Sequence, residues 1–226
     1  MRIAFIGSGN MARALGIVWA ERGHQVFFGS RDPAKARACA ALGPGGIESG
    51  SNDQAAAFGE VVVHTVRAVM PSAVLASTAP LAGKILVCIN NRAIPKDFAF
   101  ETMMGPSLAE ALAADVPSAR VVKAFNTMAQ EVFEHPSAQL KDYDVSSFLC
   151  GDDAGAKQVV ADLSRDAGLT PVDCGPLRAA RMLEPMGDFI RYMMFGMKRG
   201  YFATISVHDL PAATGARLGG RKAYGA

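Results

Sequence analysis

The residues with the plainest chemical purpose stand at the start of the chain. Gly7-Ser8-Gly9-Asn10-Met11-Ala12 follows directly on the apolar run Arg2–Ile6. This is the G-x-G-x-x-G/A pattern in the context it requires, after a strand and before a helix. Gly7 permits a tight turn, Gly9 lets backbone approach a pyrophosphate, and Ala12 lets helix and strand pack closely. The free N–H groups and the positive end of the helix dipole then face the phosphates. A dinucleotide is the expected ligand. The end of the second strand selects which one. An NAD site places Asp or Glu there to accept from the ribose 2′-hydroxyl. Here the run is Phe27-Phe28-Gly29-Ser30-Arg31-Asp32, with Lys35 one turn beyond. Ser30 can donate to a 2′-phosphate, Arg31 offers a planar fork that matches phosphate oxygens, and Lys35 adds a point charge. Asp32 is best used as a helix cap facing away from the phosphate. The pattern predicts NADP.

Little else in the chain suggests side-chain catalysis. No Ser-His-Asp, Cys-His or paired-carboxylate constellation is present, so no catalytic side chain is expected. The four histidines (His24, His64, His135, His208) lack metal-ligand spacing, and no metal is predicted. His64 is the one histidine near the expected cofactor, inside an apolar strand. Cys39, Cys88, Cys150 and Cys174 form no Cys-x-x-Cys pair and read as free thiols in a reducing cytoplasm.

The elements that would hold these residues alternate in the rhythm of βαβ units. Strands are expected at Arg2–Ile6, Gln25–Phe28, Val61–Thr65, Lys84–Ile89, Arg120–Ala124, Val145–Cys150 and Thr170–Asp173. Helices are expected at Asn10–Arg22, Pro33–Leu42, Asp53–Phe58, Met70–Leu81, Ser107–Ala114, Thr127–Phe133 and Ala154–Ala167, and a long one from Leu177 to about Arg199. Asn91–Pro106 reads as a long irregular loop, and Gly215–Arg221 as part of an irregular C-terminal arm. The expected fold class is α/β: a Rossmann-type, doubly wound, mostly parallel sheet with a long C-terminal helix and that arm. Residues 1–176 would form the NADP-binding domain and 177–226 a helical segment and arm. With 226 residues, half of them hydrophobic, and a net charge of +2, the chain suits an ordinary soluble protein. Neither a nucleic-acid partner nor a membrane span is expected.

Three stretches carry a family resemblance. They are Gly7–Ala12 with Gly29-Ser30-Arg31; Val121-Val122-Lys123-Ala124-Phe125-Asn126-Thr127; and Cys150-Gly151-Asp152-Asp153 through Lys157, with Gly168–Leu177. Together they resemble the NADP oxidoreductases typified by the NADPH-dependent reductase of the deazaflavin coenzyme F420. They are also similar to the oxidoreductase domain of the six-transmembrane epithelial metalloreductases. The resemblance implies NADP across the strand ends and an isoalloxazine-like ring stacked near the nicotinamide. It implies that Ser8, Asn10 and Met11 line the pyrophosphate and that Ser30, Arg31 and Lys35 hold the 2′-phosphate. Val66, Asn90, Phe125 and Asn126 would lie around the nicotinamide and its ribose, and Arg67 beside them is a further cofactor-binding candidate. The chain departs from the family at Val66-Arg67 and Asn90-Asn91, where a proline is usual at the second position. Both departures fall on the rim of the expected acceptor site. Pyrroline carboxylate reductases share the opening motif, but their long helical C-terminal domain is missing here.

The leading expectation is an oxidoreductase passing hydride between NADP(H) and a flavin-like or deazaflavin acceptor, as a homodimer in the cytoplasm. A flavin or ferric reductase and a non-catalytic NADP sensor are the alternatives. Met182, Met186, Ile190, Met193 and Met197 recur at helical spacing and suit core packing, a dimer interface or a wall for a flat ring. Pro185 should kink or restart that helix.

Overall fold

The computed structural model of the chain describes residues 1–67, 69–91 and 106–210. The first half winds through β1 (Arg2–Ile6), α1 (Asn10–Glu21), β2 (Gln25–Gly29), α2 (Pro33–Ala40), β3 (Glu48–Gly50), α3 (Asn52–Phe58), β4 (Val61–His64) and β5 (Ile85–Cys88). The second half adds α4 (Leu108–Asp115), β6 (Arg120–Lys123), α5 (Ser137–Asp142), β7 (Ser146–Gly151), α6 (Ala154–Asp166), β8 (Thr170–Asp173) and α7 (Ala180–Arg191). The strands form one sheet in the order β3-β2-β1-β4-β5-β6-β7-β8. All neighbours are parallel except β6 and β7, which meet antiparallel over Val122↔Gly151 and Lys123↔Cys150. This is the doubly wound, mostly parallel sheet that the apolar runs predict.

A parallel sheet covered on both faces needs strands that are apolar at every position. Along β1, Ile3 and Phe5 enter the core under α1 and α6, while Ile6 enters the core under α4 and α7. The same alternation divides Val61 and Val63 from Val62, and Val87 from Leu86. Trp19 sits at the centre of the first core, stacked 5.8 Å from Phe5 and edge-on at 5.7 Å to Phe125. Its indole N–H donates to Leu163 O at 3.0 Å and so joins α1 to α6.

Several expectations are corrected. Met70–Leu81 is not one helix but two 3-10 turns, Pro71–Ala73 and Ala79–Leu81. Pro71 starts the first turn and Pro80 is the second residue of the other, and the missing N–H of Pro80 prevents one helix from running through. Thr127–Phe133 is replaced by a 3-10 turn at Gln130–Glu134. The short polar strand β3 and the helix α5, with Leu140 its one buried residue, carry too little apolar pattern to be seen in advance. The C-terminal helix is shorter than Leu177–Arg199: a 3-10 turn leads into α7, and a π turn at Tyr192–Gly196 follows it. Pro185 lies inside α7 without breaking it. The loop expected over Asn91–Pro106 lies outside the described residues apart from its two ends, as does Gly215–Arg221.

α7 is fastened to α4 by a bidentate ion pair. Arg181 donates to both carboxylate oxygens of Glu110 at 2.8–3.1 Å, and Ser107 completes a capping box with the same side chain. Arg181, with Ser107 beside it, holds the Glu110 carboxyl down at about 2 against an ordinary value of 4.5. A depressed carboxylate stabilises the fold at higher pH, and that contribution is lost as pH falls through the folded value. The melting-temperature gap between the parent and Arg181→Gln should therefore be full at neutral pH and close as pH falls from 4.5 toward 2. A gap that stayed constant over that range would exclude the pair as its source.

Candidate active site

The strand order reverses between β1 and β4, and the turn from β1 into α1 opens there. Such switch points leave a crevice at the carboxyl ends of parallel strands. Gly7 takes φ +101°, and a Cβ there would lie 2.6 Å from Thr65 Oγ1. Only glycine suits both demands. The Thr65 hydroxyl donates to Ile6 O, and Gly7 N donates to Gly29 O, which clips the turn to β4 and β2. Gly9 is the N-cap of α1 and makes no side-chain cap, whereas Asp32, Ser51, Ser107 and Asp153 cap α2, α3, α4 and α6. A Cβ on Gly9 would meet nothing within 4 Å. The first N–H groups of α1 thus face open space, the arrangement an anion needs.

Ser30, Arg31 and Lys35 form a second group at the end of β2. Ser30 Oγ accepts from Asp32 N at 3.1 Å, which leaves its O–H free to donate outward. Asp32 caps α2 through Ala34 N, as expected, but its other oxygen also lies 4.0 Å from Lys35 Nζ. Arg31 is exposed and makes no ion pair among the described residues.

A cavity of about 450 Å³ opens beyond the β1–α1 turn. One wall is Gly9, Asn10 and Met11; the floor includes Asn90, Phe125 and Asn126; Arg67 stands on the β4 side. Seven of the expected site residues are therefore brought to one cavity. Gly7 and Ser8 lie in the turn behind it, and Ser30, Arg31 and Lys35 lie beyond it. Val66 is placed differently: it packs partly buried against the core below, and its carbonyl accepts from Asn90. Phe125 is fully buried and holds φ +56°, an unusual conformation for a bulky residue that the Trp19 contact helps to fix.

The opposite wall is a face of the C-terminal helix, one of the three uses the methionine stripe suited, but most of its residues lie outside that stripe. Gly187, Ile190, Arg191, Met194, Phe195 and Tyr201 supply it, and Gln130 and Glu131 close one side. Within the methionine stripe the roles separate. Ile190 is buried and Met186 packs on the core, Met182 and Met197 are exposed, and Met194 rather than Met193 reaches the cavity. Gly187 is required for closeness: a Cβ would lie 2.4 Å from Asn91 Nδ2 and 2.7 Å from Asn126 O. Asn91 and Asn126 bond to each other twice, and Asn126 donates to Leu183 O. The departure at Asn91 is thus part of the α7 docking surface. His64 does not line this cavity; it is buried, bonded through Nε2 to Val69 O, and its burial lowers its pKa.

Beneath the floor lies an ion pair the sequence did not announce. Lys123 is wholly buried, and its Nζ donates to Asn90 O and lies 3.2 Å from Glu184 Oε1 on α7. The same oxygen accepts from Ala109 N at 3.3 Å in the first turn of α4. Asn90 in turn donates to His64 O and Val66 O, each at 3.2 Å. One buried pair therefore fixes the ends of β4, β5 and β6 against two helices. Removing one partner from such a pair leaves an uncompensated buried charge, at a cost of roughly 3–5 kcal/mol. Lys123→Met should lower unfolding free energy by about that amount in urea titration, and adding Glu184→Leu should restore most of it. A single variant as stable as the parent would show that the pair is not buried in solution.

Comparison with known proteins agrees with this geometry. Residues 2–92 match the family described as NADP oxidoreductase, coenzyme F420-dependent. The F420-dependent NADP reductase of Methanocaldococcus jannaschii is 30% identical over 207 residues, covering 81% of this chain and 88% of that protein. Metalloreductase STEAP3 of Rattus norvegicus is 32% identical over 183 residues, and the chain spans only 36% of its length. A crystal structure of a protein from Arthrobacter sp. FB24 superposes with TM-score 0.77 at 28% identity, covering 92% of this chain and 99% of that one. With an uncapped nucleotide turn at the switch point and a similarity that runs nearly the full length of its archaeal relative, the chain belongs to the coenzyme F420-dependent family of NADP oxidoreductases.

Proposed function

We propose that this protein transfers hydride between NADP(H) and a flavin-like or deazaflavin acceptor held against the α7 wall. The carrying observation is the two-walled cavity, with the uncapped α1 turn on one side and Met194, Phe195 and Tyr201 on the other. The residues fit a dinucleotide: the N–H groups at Gly9–Met11 would receive the pyrophosphate, and Ser30, Arg31 and Lys35 the 2′-phosphate. Asn126 Oδ1, buried without a partner among the described residues, offers an acceptor at the nicotinamide end. When bound, the reduced dinucleotide supplies a hydride from its nicotinamide ring, and the acceptor completes its reduction with a proton from solvent. The chain itself positions the rings and excludes water, and its cofactors carry the chemistry. A volume near 450 Å³ lies within the ~300–1,000 Å³ usual for small-molecule sites.

The similarity to the metalloreductase favours a second acceptor class, in which ferric chelate in place of a ring takes the electrons, two iron centres for each NADPH. Following NADPH absorbance with deazaflavin, FMN or ferric chelate separates the two. Oxidation of NADPH by ferric chelate alone, with both rings inert, would overturn the ring-acceptor reading.

Two binding predictions test the dinucleotide half. A hydrogen bond to a charged group is worth roughly 1.5–3 kcal/mol, about 10- to 150-fold in affinity. Arg31→Ala should weaken NADPH binding by such a factor and leave NADH nearly unchanged; equal losses would remove Arg31 from the 2′-phosphate site. Gly9→Val should abolish NADPH binding in calorimetry while the melting temperature holds, because the added side chain enters open space rather than the core. Tight binding by that variant would refute the placement of the pyrophosphate.

A further inference from the structure

Hydride transfer between stacked rings makes no use of the charges on the cavity wall. Three charged side chains reach that wall: Arg67 beyond β4, Arg191 at the end of α7, and Glu131. Glu131 accepts from the Gln130 amide. Neither guanidinium has an ion pair or a hydrogen bond among the described residues. Arg181 at the other end of α7 is different, since Glu110 grips it from both oxygens. Arg191 is also partly buried, and a cation drawn partly out of water without a counter-charge gives up hydration that a bound anion would return.

Its neighbours say what kind of molecule would bring the anion. The chain passes from Arg191 directly into the π turn, where Met197 N donates to Tyr192 O at 2.9 Å. That turn puts Met194 and Phe195 on the same wall, and the Phe195 ring meets Tyr201 edge-on at 5.6 Å. Thioether and aromatic side chains receive a flat ring, and a planar guanidinium beside them suits phosphate oxygens. The dinucleotide phosphates have their own positions at α1 and β2, outside this wall.

We propose that Arg191, with Arg67 on the β4 side of the same cavity, binds the anionic tail of the acceptor. The acceptor is then a flavin-type ring carrying a phosphate on its side chain rather than a free ring or a chelated metal ion. This rests on the ring-acceptor reading above. The test compares rings that differ only in the tail: FMN with riboflavin, and coenzyme F420 with its phosphate-free deazaflavin. At saturating NADPH, the parent should prefer the phosphorylated member of the pair it reduces. Arg191→Ala should cut that preference in kcat/KM by about tenfold, the scale of one charged hydrogen bond, through KM rather than kcat. Arg191→Lys should recover part of it, and the KM for NADPH should move far less. Equal losses for both members, an unchanged preference, or a loss confined to NADPH would overturn the assignment. Should no ring be reduced, the proposed function fails by itself. Quenching of flavin fluorescence would still decide whether Arg191→Ala loses the preference for FMN over riboflavin in binding.

Discussion

The site depends on a charge held where water does not reach. Lys123 lies at the end of β6 with no exposed surface, yet three strands and two helices converge on its ammonium through Asn90, Glu184 and the start of α4. A buried pair of this kind contributes little net stability over a well-packed apolar replacement. What it supplies is direction: the ammonium must find both the Asn90 carbonyl and Glu184, and few packings satisfy both. The Asn90 side chain passes that constraint to β4 through two further carbonyls. The floor of the cavity is thereby set by hydrogen-bond geometry rather than by the looser fit of aliphatic side chains.

Legibility in the sequence followed the physics of each part. The nucleotide turn, β1, β2, β4 and β5 are short-range objects: an apolar run, a glycine pair and a capping Asp32 can be read within a dozen residues. Ser30 and Arg31, the residues expected to select NADP, are equally local. The far wall is so only in part, through Ile190 and Met194. Gly187 looks like a weak point in a helix until Asn91 and the Asn126 carbonyl are found against it. Lys123 looks like the tail of a strand until Glu184, 61 residues later, is placed beside it. The methionine stripe misled because periodicity assumes one helical winding, and the π turn changes the winding halfway along. Over Met70–Leu81 the reason is simpler: the apolar content suits a helix, but Pro71 and Pro80 divide it into two turns.

The two halves of the cavity are built on different principles. One wall offers backbone N–H groups at the start of α1, whose positions follow from the fold itself. The opposite wall offers side chains at the end of α7 and beyond. The family match covers residues 2–92, which hold the first wall and not the α7 wall.

The π turn at Tyr192–Gly196 gives this division a mechanism in evolutionary terms. Such a turn is a helix that has absorbed one extra residue. Deleting a single codon there would restore ordinary winding and turn the point where the chain leaves the helix by about 100° around its axis, given 3.6 residues per turn. Phe195, inside the turn, would leave the wall while Arg181, Glu184 and Gly187 kept their places. This cavity wall can therefore be rewritten by a one-residue change in length, a larger step than any point substitution and one that leaves the β1–α1 turn intact.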